Sequence, residues 1–171
     1  MTVHEVPQPG DIGLTSIVGA VGWGIRLGEF LLGDGVTPYE HAFIVLDDNT
    51  LLEAEPGGAR IAGLDEYAGR HVEYVSPELS TEQRYAICAA ARNLINTPYS
   101  AADYFAIAAH RFHIPAPGLR RYISDRGHMI CSQLVDQCYQ DAGVQLFNDG
   151  RWPGFVTPAD LALLLGREGQ R

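Results

Sequence analysis

The first half of the chain consists of short apolar runs rich in β-branched and aromatic residues, separated by turn residues. Runs of this kind, about four to eight residues long, are typical of β-strands. They predict strands over residues 41–46, 51–55, 59–62 and 71–75, with a short apolar run at 12–14 before them and a short helical piece near 65–68. Because turns join most of these runs, we expect a mainly antiparallel sheet. Residues 16–32 are compatible with a helix, although the glycines among them weaken that prediction.

The second half of the chain changes to helical patterns with recognisable starts. Ser80, with Gln83 three residues later, forms a capping box and predicts a helix over residues 81–96. Thr157 precedes a proline suited to the first helical position and predicts a last helix. Two other helices are predicted over 100–112 and 131–142. Strands followed by helices, without an internal repeat or a long linker, predict an α+β fold in a single domain spanning residues 1–171.

One predicted hairpin brings a histidine close to two carboxylates. A three-residue loop at 47–49 places Phe43 opposite Glu53 and His41 opposite Glu55. His41 then shares one face of the sheet with both carboxylates, and Glu53 lies on the diagonal within reach. A loop that is one residue shorter moves Glu53 to the other face, where it is a solvated polar residue. The histidine–carboxylate pair therefore depends on the register of this hairpin.

Cys131 is the candidate nucleophile among the three cysteines, because it stands at the predicted start of a helix. The positive end of the helix dipole and the free backbone N–H groups there favour the thiolate. The alternative is a small buried core residue, which is how we interpret Cys88 and Cys138. A nucleophilic cysteine needs a base, and His41 is the candidate. His128 is too near Cys131 in sequence for that role, but it can line the same site.

Three separated motifs resemble a known family of enzymes. PGDIGL near the start, YEHAFIVL followed by LLEAEPGGAR, and ICSQLVDQCYQDAGV are similar to the circularly permuted NlpC/P60 superfamily of papain-like cysteine hydrolases. The branch that the sequence resembles is the YiiX/YebB-like group, which is related to the lecithin:retinol acyltransferase-like proteins. The similarity extends over roughly residues 9–165, and histidine precedes cysteine as in the permuted members.

The resemblance implies a role for each candidate residue and a fold for the chain. Cys131 is the implied nucleophile, His41 the general base, and Glu53 the residue that orients the histidine. PYSAADYF resembles a family segment that puts Tyr99 in the substrate site, although packing on the core is an equally simple role for this aromatic residue. The other expected substrate contacts are Glu55 and His128. The implied fold is permuted papain-like, with an antiparallel sheet packed against helices.

The resemblance also implies an activity. We expect a cysteine amidase or peptidase that cleaves an amide bond in a peptide-like substrate, for which bacterial cell-wall peptides are one source. An acyltransferase, thioesterase or lipid hydrolase uses the same triad, so the partner is a small peptide or an acyl-containing substrate. The third hypothesis is a binding module without enzymatic activity, in which Cys131 is unreactive.

Composition excludes several other functions. The chain has 171 residues and a formal net charge of −9, which argues against a nucleic-acid surface. All twelve basic residues are arginine, so Schiff-base chemistry and a phosphate-binding P-loop lysine are excluded. No cofactor is expected. A zinc site made by Cys131, His128 and Cys138 does not match the usual ligand spacings.

The termini and the apolar segments bear on location. The chain begins without a charged and apolar leader, and it contains no apolar stretch of about 18 residues. We therefore expect no stable membrane insertion and a cytoplasmic location, with delivery by a phage or a secretion system as the alternative. Three cysteines in a chain of this size also argue against a disulfide-stabilised secreted scaffold. The sequence leaves the oligomeric state open.

Overall fold

The computed structural model describes residues 2–16, 39, 41–55, 57–99, 129–148 and 156–166. Within these ranges one antiparallel sheet has the strand order β1-β6-β2-β3-β4-β5. Its strands are β1 (Thr2–His4), β2 (Ile12–Thr15), β3 (His41–Val45), β4 (Thr50–Glu55), β5 (Gly58–Gly63) and β6 (Val72–Ser76). The helices are α1 (Thr81–Asn93), α2 (Cys131–Asp141) and α3 (Pro158–Gly166), with a 3₁₀ helix at Leu64–Tyr67. The predicted α+β class with an antiparallel sheet is confirmed.

Both faces of the sheet are covered. Because side chains alternate along a strand, Ala42 and Ile44 of β3 point to the face on which α1 and α2 pack, and they belong to the main core. Phe43 and Val45 point to the opposite face and form a second cluster with Tyr67 of the 3₁₀ helix. A strand buried on both sides explains why residues 41–46 read as a nearly continuous apolar run.

The β3–β4 hairpin has the register that a three-residue loop predicts. The Leu46 N–H donates to the Thr50 carbonyl at 2.8 Å, and Phe43 is paired with Glu53. Asp48 and Asn49 both have a φ of 56°, a left-handed conformation that these residue types tolerate better than most. Loop chemistry therefore places Glu53 on the same face as His41.

The helices begin where their capping residues indicate. The Ser80 hydroxyl accepts a hydrogen bond from the Gln83 N–H, and the Gln83 side chain accepts one from the Ser80 N–H. Thr157 and Asp160 exchange the corresponding bonds at the start of α3. The first helix ends at Asn93, earlier than predicted, because the following residues leave it to bond the backbone of Ala59 in β5.

Some predicted elements differ from the structure or lie outside the described ranges. Residues 2–4, for which the sequence predicts no strand, form β1, which pairs with the outer edge of β6. The helix predicted over 100–112 and most of the segment 16–32 lie outside the described residues. Among the described helices, none has the length and apolarity needed to cross a membrane.

Candidate active site

His41 and Glu53 form a buried pair between neighbouring strands. The His41 Nε2 atom lies 3.0 Å from Glu53 Oε2, and the exposed fractions of the two residues are 8% and 0%. Glu55, the other carboxylate on this face, is exposed and lies 3.5 Å from the Arg60 Nε atom instead. Glu53 rather than Glu55 is therefore the carboxylate that contacts the histidine.

Two further side chains reach the Glu53 carboxylate. The Tyr67 hydroxyl donates to Oε2 at 2.5 Å, the same oxygen that His41 contacts. Arg60, directly opposite Glu53 on β5, brings a guanidinium nitrogen to 2.6 Å from Oε1, but without the alignment of a hydrogen bond. Burial alone raises the pKa of Glu53. The hydrogen bonds from His41 and Tyr67, with the charges of His41 and Arg60, outweigh it, so the pKa lies below its usual value.

Sequence reasoning missed both of these residues. The position of Arg60 could have been predicted, because the strand register that pairs Glu55 with Gly58 also pairs Glu53 with Arg60. Tyr67 lies in a short 3₁₀ helix, where no periodicity indicates which way a side chain points.

Cys131 reaches the other side of the histidine. It is the first residue of α2, after the N-cap Ile130, and its exposed fraction is 2%. Its thiol lies within hydrogen-bonding reach of the His41 ring and raises the pKa of the histidine. Because Nε2 faces Glu53, Nδ1 is the ring nitrogen left for the thiol. The three side chains are therefore connected in the order cysteine, histidine, glutamate.

The environment favours a charged histidine. Burial lowers the pKa of His41, but the hydrogen bonds to Cys131 and to Glu53, together with their negative charges, raise it to about 9. At neutral pH the ring is then protonated. A protonated imidazole beside a thiol at a helix N-terminus is the environment in which cysteine thiolates are stable.

Aromatic side chains on the Phe43 face of the sheet pack beside the His41–Glu53 pair. The His41 and Tyr67 rings are nearly parallel, with centroids 6.3 Å apart, and the Phe43 and Tyr67 centroids are 4.8 Å apart. Phe43 lies over Gly13 of β2, where a Cβ atom would come within 2.2 Å of the ring. The missing side chain at Gly13 is therefore what allows Phe43 to lie against the site.

Two other residues, Tyr99 and His128, are predicted by the sequence to line the site. Tyr99 forms an isolated parallel bridge with Met129, two residues before Cys131, and is half-buried against the main core. His128 lies outside the described residues. Burial raises the pKa of the other two thiols, those of Cys88 and Cys138, as expected of core cysteines.

Comparison with known proteins supports the fold. No family model matches the chain, and no curated protein matches its sequence. The crystal structure of metalloprotein yiiX from Escherichia coli O157:H7 is similar, with a TM-score of 0.57 and 20% sequence identity. The match covers 96% of this chain and 84% of that one. The chain therefore has a YiiX-like α+β fold, in agreement with the branch that its motifs resemble.

The described residues do not fit a metal site. In the ranges that the structure covers, no three His, Cys, Asp or Glu side chains are grouped so that they can hold a metal ion. Both sides of the His41 ring are engaged, one by Glu53 and the other by Cys131.

Proposed function

We propose that the chain is a cysteine hydrolase that cleaves an amide bond in a peptide-like substrate through a covalent acyl-enzyme. The observation that carries the proposal is the connected series Cys131, His41 and Glu53, in which one thiol at a helix start meets a charged histidine. A nucleophile beside a base that a third group orients is the general arrangement for covalent catalysis.

The first half of the reaction forms the acyl-enzyme. The Cys131 thiolate attacks the carbonyl carbon, a C–S bond forms, and the carbonyl electron pair moves to oxygen. Cys131 is the first residue of its helix, so its backbone N–H lies at the positive end of the helix dipole, and this group can donate to that oxyanion. The intermediate then collapses, the C–N bond breaks, and the His41 imidazolium donates its proton to the leaving amine.

The second half releases the product. Neutral His41 accepts a proton from water as the water oxygen attacks the thioester carbon. The C–S bond then breaks, the acid is released, and the thiolate and imidazolium are restored. Throughout the cycle Glu53 holds the ring, through Nε2, in the orientation that leaves Nδ1 facing the nucleophile. An acyl acceptor other than water would turn the same chemistry into acyl transfer.

A substrate panel tests the proposal. Wild type and Cys131→Ala are incubated with peptidoglycan peptides, acyl esters and acyl thioesters, and products and protein mass are followed by mass spectrometry. We expect amide cleavage and a trapped acyl-enzyme with wild type only. The matched control is Cys138→Ala, which removes a thiol from the core side of the same helix and keeps the activity. Cleavage by folded Cys131→Ala overturns the assignment.

Selective alkylation gives a test that needs no substrate. At pH 7 a low concentration of iodoacetamide should modify Cys131 first, because its neighbours favour the thiolate. The thiols of Cys88 and Cys138 should react more slowly, since burial raises their pKa values and leaves them protonated at this pH. A folded protein in which Cys131 reacts no faster than these two has no activated nucleophile.

A further inference from the structure

The Tyr67 hydroxyl occupies a position that the proposed reaction does not use directly. It donates to Glu53 Oε2, the oxygen that also contacts His41, while its ring lies 9° from parallel to the imidazole. We propose that Tyr67 is a positioning residue of the active site, whose hydroxyl fixes the rotation of the Glu53 carboxylate and, through it, the His41 ring. This inference rests on the proposed function for its catalytic consequence, but not for its structural one.

The carboxylate needs a second donor to be fixed. The terminal torsion of a glutamate is broad and roughly two-fold, so a single hydrogen bond leaves its plane poorly determined. Oε1 accepts no hydrogen bond within the described part of the chain, since Arg60 meets it only as an ion pair. The Tyr67 hydroxyl therefore supplies the second directional contact.

Tyr67 is itself held in place. Its ring packs against Phe43, and the Arg70 guanidinium lies 5.0 Å from the ring centroid on the surface side. Burial raises the pKa of Tyr67, and the nearby Glu53 raises it further. The hydroxyl thus keeps its proton at every pH at which the site works, and it remains a donor.

The titration of His41 reports on this arrangement. Glu53 is faced by His41 from β3, Arg60 from β5 and Tyr67 from the 3₁₀ helix. If the hydroxyl only offset part of the negative charge of Glu53 by its hydrogen bond, its removal would let His41 experience the full charge. The pKa of His41 would then rise. If the hydroxyl fixes the carboxylate, its removal lets Oε2 turn away, and the pKa of His41 falls.

The test is the pKa of His41 in Tyr67→Phe, measured by NMR of the imidazole without substrate. We expect a fall of about one unit, close to the loss of one hydrogen bond to a charged group. Tyr74→Phe is the matched control, because Tyr74 belongs to the same aromatic cluster and removing its hydroxyl should leave His41 unchanged. With a cleavable substrate, we expect kcat to fall about tenfold while KM changes less than twofold.

A measurement on wild type keeps the proposal testable if Tyr67→Phe does not fold. The Tyr67 hydroxyl proton and the His41 Nε2 proton should give a nuclear Overhauser cross-peak, because both point at one oxygen. A missing cross-peak in assigned spectra, or a pKa of His41 that stays constant or rises in Tyr67→Phe, overturns the positioning role. Lack of turnover by wild type overturns the proposed hydrolase instead and leaves the NMR results valid.

Discussion

Gly13→Ala should destabilise the protein through the aromatic side chains that pack beside the active site. The added Cβ would lie 2.2 Å from two ring atoms of Phe43, so the ring would have to move by about 1.5 Å to reach ordinary contact. Phe43 is fully buried between Tyr67 and Tyr74, which leaves it no open space. Overpacking of this kind costs about 1–3 kcal/mol. We expect about 2–3 kcal/mol here, because three aromatic rings must adjust together.

A double-mutant cycle in urea tests this reasoning. Phe43→Leu alone should cost about 1–2 kcal/mol, since it removes buried ring atoms. The loss of stability in the double variant should be smaller than the sum of the losses in the two single variants, by at least about 1 kcal/mol. The reason is that leucine lacks the ring atoms that the new methyl group meets. Gly57→Ala is the control, with open space around the added carbon. Additivity within about 0.5 kcal/mol would refute the steric explanation.

Three further predictions concern charge and capping. Because the pKa of His41 is raised from 6.5 to about 9 by folding, its contribution to stability is complete below pH 6.5 and is lost as pH rises through 9. Urea unfolding of wild type should therefore lose more stability between pH 6 and pH 10 than that of His41→Gln, by less than about 3 kcal/mol, because ionisation of Cys131 in the unfolded chain offsets part of the loss. Asp11→Asn removes the charge that Arg84 meets at 2.8 Å in a buried setting, and should cost about 3–5 kcal/mol in the same assay at neutral pH. Ser80→Ala removes the cap of α1 and should cost about 1 kcal/mol in thermal unfolding, most of which Ser80→Thr should restore.

Sequence reasoning located the parts of the site that are determined by local turn and helix chemistry. His41 and Glu53 are twelve residues apart across one hairpin, and the loop at 47–49 determines their register. The helix start at Cys131 follows from the helical pattern that begins there. Each of these features depends on local chemistry, either turn conformation or helix polarity, which a single sequence contains.

Two features of the fold that sequence reasoning missed depend on contacts between distant segments. Strand β1 has no apolar alternation, and it forms because the outer edge of β6 offers hydrogen bonds and Ser76 binds His4. The Arg84–Asp11 ion pair joins α1 to the start of β2 across seventy-three positions. No periodicity in either segment indicates its partner, since such contacts are decided only when the sheet and helices pack.

The twelve-residue separation of His41 and Glu53 has a consequence for how the active site forms. A short loop costs little entropy to close, so the base and its carboxylate can meet as soon as the β3–β4 hairpin forms. Cys131 follows about ninety positions later in the chain and reaches His41 only when α2 docks on the sheet. The nucleophile is therefore joined to its base by one of the most non-local contacts in the protein, the kind that folding completes late. A chain interrupted before residue 131 contains a paired base and no thiol for it to activate, so reactivity is acquired together with the finished fold.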